Sequence, residues 1–244
     1  LDLDADIGAL LPELANPQVL RDQGATLVDF TRMEGLRAMG TAESLVLHSE
    51  LKADLNAYLA TTPPAVKART LTDLIAFNKA NAAKEMALFE QETFEKSDLL
   101  PPLSDPAYIK ARADSLRIAG PEGIDRMLAE NKLDALVGPT MPPAWPIDAV
   151  NGDQISGGGA GSLAAVAGYP HLTVPMGMVR GLPVGLSFIG GKWTDARILS
   201  LGYAYEQATL LRAEPRFLPS IEQSPEVAPL LEPDRKSTRL NSSH

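Results

Sequence analysis

Hydrophobic residues in the first half of the chain recur at the spacing of amphipathic helices. Leucines between positions 45 and 59 follow this spacing, and they predict a helix over 41–60 with Thr41 as its N-cap. The same spacing predicts helices over 5–23 with a break at Asn16-Pro17, over 71–96 in two pieces, over 104–119 and over 121–131. The first 132 residues are therefore predicted to be mainly helical.

The pattern changes at Leu133, where short apolar runs begin to alternate with glycine and proline. These runs predict strands over 134–137, 171–174, 176–179 and 184–189, with a turn at 180–183. A further strand is predicted earlier, over 25–30, and helices are predicted over 162–167 and 194–212. Helices followed by a region of strands predict an α/β domain with a helical elaboration rather than two independent folds.

Composition and charge exclude several classes of protein. Hydrophobic residues make up 45% of the 244 residues, which is typical of a globular domain. The formal net charge is -9, so the chain lacks the basic surface that a sequence-independent nucleic-acid binder requires. No apolar run approaches the roughly 20 residues of a membrane span. We therefore expect no nucleic-acid partner and no membrane span.

Metal and thiol chemistry have few candidate residues. The chain contains no cysteine, which excludes disulfides, thiolate metal sites and a cysteine nucleophile. Its three histidines are His48, His171 and His244, too few and too scattered to favour a multi-histidine metal centre. We therefore expect neither a metal nor another cofactor.

The most visible motif is the glycine run at 156–162 (SGGGAGS). Its backbone N–H groups could approach an oxyanion or a phosphate, but the run lacks the Gly-Lys-Ser/Thr of a P-loop. A flexible turn that lets a small-residue helix pack against a sheet is the favoured interpretation.

Other polar candidates carry weaker signals. His171 precedes an apolar strand and no Gly-x-Ser-x-Gly elbow is present, so a hydrogen-bonded packing histidine is favoured. Trp145 stands in a proline-rich loop and fits either a rigid wall of a ligand site or a packing anchor. The carboxylates of Asp134, Asp148 and Asp153 are interpreted as parts of a solvated loop face.

Several segments taken together resemble the amidase signature family. They are 133–140 (LDALVGPT), 143–145 (PAW), 165–177 (AVAGYPHLTVPMG), 181–190 (GLPVGLSFIG) and the final helix at 201–209 (LGYAYEQAT). Residues 50–60 (ELKADLNAYLA) and 74–89 (LIAFNKANAAKEMALF) most resemble the peptide-amidase branch. The resemblance covers residues 1–217 and implies a mixed sheet flanked by helices.

The resemblance also implies a mechanism for which this chain lacks the residues. Members of the family are amide hydrolases in which a lysine and a middle serine activate a nucleophilic serine. The serines come from a Gly-Gly-Ser-Ser-Gly-Gly-Ser motif, which does not occur here. The run at 157–167 (GGGAGSLAAVA) mimics the motif, but Gly159 and Ala160 stand where the two serines would be. We expect the chain to contain no catalytic residue and to be inactive alone.

The resemblance leaves a role in shaping the substrate site. In the family, the loop after the Gly-Pro-Thr strand and the glycine segment before the Gly-Tyr-Pro strand face the substrate channel. This implicates Thr140, Met141, Trp145 and Gly158. The implied substrate of the full-length parent is a small amide or a peptide amide.

Domain organisation is expected to follow from the same resemblance. Residues 1–233 are expected to be the C-terminal part of one amidase domain that is truncated on its N-terminal side. Within it, residues 1–132 are expected to be mainly helical, and residues 133–217 are expected to carry strands, glycine-rich loops and the closing helix. Residues 234–244 (DRKSTRLNSSH) match an in-frame translation of a sequencing-adapter oligonucleotide, so we expect this tail not to be native. Such a truncated domain is expected to leave a sheet edge unpaired and an apolar face uncovered.

Two other functions remain open at this point. An amidotransferase A-type subunit belongs to the same family, although the peptide-amidase-like segments speak against it. A non-catalytic binding module of the same fold would keep the substrate site without the chemistry.

Overall fold

The computed structural model describes residues 17–29, 35–148, 150–154, 159–215, 217, 220 and 225. The chain divides into two units, Leu1–Leu211 and Arg212–His244. All helices and strands of the described residues lie in the first unit. In the second unit, the described residues 212–215, 217, 220 and 225 belong to no helix or strand. The tail predicted over 234–244 lies outside the described residues.

Helices occupy most of the described residues before position 132. They are α1 (Pro17–Asp22), α2 (Leu36–Ala60), α3 (Leu71–Ala80), α4 (Ala82–Glu85), α5 (Glu92–Asp98), α6 (Pro106–Ala119), a π-helix (Gly120–Asp125) and α7 (Arg126–Asn131). The later elements are β1 (Leu136–Pro139), α8 (Gly161–Ala167), β2 (His171–Val179), β3 (Leu182–Ile189) and α9 (Asp195–Thr209).

Helix α2 begins five residues before its predicted start. Gly35 is its N-cap and has a φ of 84°, a conformation that glycine adopts without steric cost. Thr41 lies inside the helix, where its hydroxyl donates to the backbone oxygen of Arg37. The prediction of Thr41 as the N-cap is therefore wrong, because the chain enters the helix through the glycine instead.

Of the helix predicted over 5–23, the structure describes α1 from Pro17 to Asp22, and residues 5–16 lie outside the described residues. The other helix predictions are right in place and partly wrong in continuity. The region 71–96 forms three helices rather than two, and α3 starts from a capping box between Thr70 and Asp73. Helix α6 starts as predicted, with Asp105 accepting from the N–H of Ala107. At 121–131 a π-helical turn precedes α7. Pro121 has no N–H to donate and its ring obstructs the regular helical path, which accounts for the wider turn.

The three strands form one antiparallel sheet in the order β1-β3-β2. The two strands predicted over 171–179 are one strand with a bulge between Pro175 and Gly177, where proline cannot donate to the ladder. The strand predicted over 25–30 is wrong for residues 25–29, which pair with no strand, while residue 30 lies outside the described residues. Apolar sequence alone does not make a strand where the segment has no paired neighbour.

Helix α9 covers one face of the sheet and encloses the main core. Phe188 and Tyr205 lie with ring centroids 6.0 Å apart at an interplanar angle of 60°. A Cβ on Gly202 would lie 2.3 Å from Cδ2 of Leu172, so the glycine allows the helix to approach β2 closely. The buried members of this cluster are Val174, Met176, Val179, Val184, Leu186, Phe188, Ile198 and Tyr205.

The opposite face of the sheet packs against α8 and the π-helix. Leu136 and Ile189, paired across β1 and β3, are buried with Ile124, Met127 and Ala164. Tyr169 ties this region together, because its hydroxyl donates to the carboxylate of Asp125 at 2.6 Å. That hydrogen bond, followed by burial, raises the pKa of Tyr169 to about 12.

The predicted unpaired sheet edge is present in the described residues, whereas the predicted uncovered sheet face is not, because α9 packs on one face and α8 and the π-helix pack on the other. In the described part of the chain no strand pairs with the outer edge of β1 or of β2. Val137 on β1 is 43% exposed, and Leu199 and Tyr203 on the outer side of α9 are 59% and 64% exposed. A groove of about 590 Å³ runs beside β1. Its apolar lining includes Leu20, Val28, Val137, Phe188 and Leu201.

Candidate functional site

Thr140 follows directly after β1 and is fixed on both sides by its backbone. Its N–H donates to the oxygen of Gly185 on β3 at 2.8 Å. Its oxygen accepts from the N–H of Ala160, just before α8, at 3.1 Å. Thr140 therefore lies between the sheet and the glycine segment that the sequence placed at the substrate site.

The hydroxyl of Thr140 belongs to a row of polar side chains on one face of the sheet. Its Oγ1 lies 2.6 Å from Oγ1 of Thr173 and 2.8 Å from Oγ of Ser187. Ser187 Oγ in turn lies 2.6 Å from Nε2 of His171. Ser187 is fully buried, and burial lowers the pKa of the His171 imidazole. The interpretation of His171 as a hydrogen-bonded packing residue agrees with this geometry.

Gly185 provides the space for this row of side chains. A Cβ at this position would lie 2.4 Å from Oγ1 of Thr173 and 2.9 Å from Oγ1 of Thr140. Both distances are shorter than real Cβ contacts. A residue with a side chain at 185 would therefore displace the two threonine hydroxyls.

Met141 lies beside the glycine segment and faces solvent in part. Its side chain is 45% exposed, while the following Pro142 and Pro143 are buried. A Cβ on Gly159 would lie 2.5 Å from Sδ of Met141 and 2.6 Å from the backbone oxygen of Thr140. Gly158, predicted to face the substrate, lies outside the described residues, but its neighbour Gly159 packs against Thr140 and Met141.

Trp145 is held within its own loop. Its indole Nε1–H donates to Oδ1 of Asp153 at 3.0 Å. Asp148 accepts at 2.9 Å from the backbone N–H groups of Val150 and Asn151, and the hydrogen bonds from Asn151 are the main cause of its lowered pKa. Both carboxylates thus stabilise the loop, in agreement with their interpretation as loop residues.

The third carboxylate suggested by the sequence lies elsewhere. Asp134 pairs with Nη2 of Arg197 on α9 at 2.7 Å, and both side chains are well exposed. Such a surface ion pair contributes little to stability and does not resemble an acid–base centre. The structure does not join Asp134 to the other two carboxylates through any hydrogen bond among the described residues.

The Ser187 hydroxyl lies as close to the His171 imidazole as a nucleophile lies to its base, but a substrate cannot reach that hydroxyl. The hydroxyl of a nucleophile must reach a substrate carbonyl, whereas Ser187 has no exposed surface. Ser187 therefore forms its contacts within the sheet, where its hydroxyl is not accessible.

Sequence reasoning missed this row of polar groups. The signal was present, because His171, Thr173 and Ser187 interrupt otherwise apolar strands at alternate positions. The pairing of Thr173 with Ser187 across β2 and β3 is what brings the row together, and that register is not readable from the sequence.

The described residues contain no group of three or more histidine, aspartate or glutamate side chains arranged to hold a metal ion. Among the same residues, no helix combines the length and hydrophobicity needed to cross a membrane.

Comparison with known proteins identifies a family and close structural neighbours. The family model described as Amidase matches residues 9–199. The crystal structure of a peptide amidase from Stenotrophomonas maltophilia is 46% identical, with a TM-score of 0.77 over 84% of this chain and 41% of that one. A peptide amidase in complex with the competitive inhibitor chymostatin is 47% identical, with a TM-score of 0.78 over 84% of this chain and 42% of that one.

Curated sequences give a similar result. A probable amidase of Arabidopsis thaliana is 31% identical over 209 residues, which are 82% of this chain and 36% of the relative. The A-type subunit of the glutamyl-tRNA(Gln) amidotransferase of Pseudomonas entomophila is 36% identical over 113 residues, which are 43% of this chain and 22% of the relative. The chain thus spans less than half the length of each of these proteins.

Proposed function

The chain belongs to the amidase family, and from this premise we propose that it is the substrate-facing part of an amide hydrolase that acts on peptide amides. The reaction is hydrolysis of a carbon–nitrogen bond by a serine nucleophile. The catalytic lysine and serines would come from a segment of the family fold that these 244 residues do not contain.

The similarity to peptide amidases is the observation that supports this proposal. The chain is 47% identical, with a TM-score of 0.78 over 84% of its length, to a peptide amidase seen in complex with the competitive inhibitor chymostatin. Since the chain spans 42% of that neighbour, activity and substrate remain proposals for this chain.

We assign the substrate wall to Thr140, Met141, Trp145 and Gly158. The hydrogen bonds of Thr140 and the contact of Gly159 with Met141 support this assignment, because they hold two chain segments together at the end of β1. Met141 is partly exposed, and the Trp145 indole in the same loop is held by Asp153, so both can offer apolar surface to a peptide side chain.

The chain alone is proposed to be inactive. Its only adjacent serines are Ser242 and Ser243, within the segment interpreted as a non-native tail. Amide hydrolysis requires an activated nucleophile, and the Ser187 hydroxyl that contacts His171 is buried.

The amidotransferase alternative has weaker support. Similarity to the Pseudomonas entomophila protein covers 43% of the chain, whereas similarity to the peptide amidases covers 84%.

A chimera tests the proposed function. The full chain is joined after the part of the Stenotrophomonas maltophilia peptide amidase that carries the lysine and the serine motif, and ammonia release from a C-terminally amidated peptide is measured. We expect turnover that disappears when the nucleophilic serine of the donor part is replaced by alanine. A folded chimera that binds the peptide amide without turnover would instead support a non-catalytic binding module.

A further inference from the structure

Four polar side chains form a continuous row across the sheet. They are joined in the order His171, Ser187, Thr140 and Thr173, by contacts of 2.6, 2.8 and 2.6 Å. His171, at one end of the row, can carry a positive charge. Thr140, within the row, is the first residue assigned to the proposed substrate wall.

Burial restricts how these groups can bond. Ser187 has no exposed surface, so water cannot replace either of its partners. A hydroxyl has one hydrogen to donate. Ser187 therefore donates to one of its two neighbours and accepts from the other, and the same choice passes to Thr140.

The protonation state of His171 decides the direction of this choice. A charged imidazole carries hydrogen on both nitrogens, so Nε2 must donate to Ser187. Ser187 then donates to Thr140, and Thr140 donates to Thr173. A neutral ring with its hydrogen on Nδ1 accepts from Ser187 instead, and the hydrogen bond between Ser187 and Thr140 is then reversed.

We propose that Ser187 is a positioning residue that transmits the protonation state of His171 to the hydroxyl of Thr140. This proposal rests on the proposed function of Thr140 in the substrate wall. Gly185 preserves the arrangement, since a side chain there would displace both threonine hydroxyls.

The groups described next to the His171 imidazole are a hydroxyl and a glycine, and neither is charged. Ser187 on β3 contacts Nε2, and Gly161 at the start of α8 lies beside Cε1. Burial is what lowers its pKa, and no charged side chain of the described residues contributes to that shift. The reversal is therefore expected below the ordinary imidazole value of about 6.5.

Kinetics of the chimera provide the first test. We expect kcat/KM for the amidated peptide to change at the pH where His171 titrates, as measured by 15N-histidine NMR. Ser187→Ala should remove this step while His171 still titrates, and it should lower kcat/KM roughly tenfold. His171→Gln should remove the step and retain more activity than His171→Leu, because the glutamine amide replaces Nε2. Thr61→Val, in the distant turn after α2, is the matched control and should keep the step.

NMR of the full chain tests the coupling even if the chimera is inactive. Thr140→Val should shift the His171 nitrogen resonances when Ser187 is present and should leave them unchanged in the Ser187→Ala background. An equal shift in both backgrounds, or no shift in either, would overturn the proposal. A pH step that persists in Ser187→Ala would also overturn it, whereas an inactive chimera with intact NMR coupling would count against the proposed function alone.

Discussion

The backbone N–H of Ala160 donates a hydrogen bond to the backbone oxygen of Thr140 at 3.1 Å. These residues come from the two segments that the sequence assigned to the substrate site, the loop after β1 and the glycine segment before α8. Their contact leaves no room for a side chain on Gly159. Gly159, the described glycine of the run that lies before Ala160, therefore serves close packing against the loop after β1.

Gly159→Ala tests this packing. The added Cβ would lie 2.6 Å from the oxygen of Thr140, which is backbone and cannot rotate away. We expect a loss of about 1–3 kcal/mol in unfolding free energy and a higher KM in the chimera. Gly40→Ala, on a helical glycine with nothing within 4 Å, is the control and should stabilise by roughly 0.5–1 kcal/mol. Equal effects of the two variants would contradict the packing described here.

Asp153→Ala tests the role of the Trp145 hydrogen bond. Without its 3.0 Å partner the indole loses its fixed orientation, so KM for the amidated peptide should rise in the chimera while kcat changes little. Asp153→Asn keeps an oxygen acceptor and should resemble the unchanged chimera. If the alanine variant binds and turns over the peptide normally, Trp145 is a packing anchor rather than part of the substrate wall.

Tyr169→Phe tests the link between the sheet and the π-helix. The lost hydrogen bond to the Asp125 carboxylate should cost about 1.5–3 kcal/mol in urea unfolding. The raised pKa of Tyr169 also predicts that this stabilisation is complete below pH 10 and is lost as the pH rises from about 10 to about 12. Tyr58→Phe, on a side chain that is 65% exposed, should leave both the stability and its alkaline decline unchanged.

Much of the fold could be predicted because its signals are local. Asp105-Pro106 starts α6 and Gly168 ends α8, and both act through their own backbone preferences. The amidase resemblance, including its peptide-amidase branch, is confirmed by the family model and by structural neighbours up to 47% identical. The predicted fold class is confirmed by the same neighbours.

The errors arise where tertiary contacts decide the structure. The strand expected over 25–30 lacks a paired neighbour in residues 25–29, and the polar row depends on the strand register that places Thr173 opposite Ser187. Thr41 fits an N-cap by residue type, yet the positive φ of Gly35 starts α2 earlier. The assignments of Thr140, Met141, Trp145 and Gly158 to substrate, and the domain boundaries, stay predictions.

The apolar surface beside β1 and α9 predicts binding of an apolar dye by the isolated chain. Val137 on β1 and Leu199 and Tyr203 on α9 expose apolar side chains to which such a dye can bind. Fluorescence of such a dye should rise with the isolated chain and fall in the chimera, where we expect the added segment to cover this surface. Leu199→Ser should lower the signal, whereas Leu88→Ser, on an exposed residue outside these elements, should change it less.

The central claim is that this chain shapes a substrate site and supplies no catalytic residue. Ammonia release from a C-terminally amidated peptide by the purified 244-residue chain tests it most directly. We predict no release above the uncatalysed rate, because the chain lacks the serine motif and the Ser187 hydroxyl that contacts His171 is buried. Turnover that a single Ser→Ala substitution within residues 1–233 abolishes would show that the chain carries its own nucleophile and would contradict the claim.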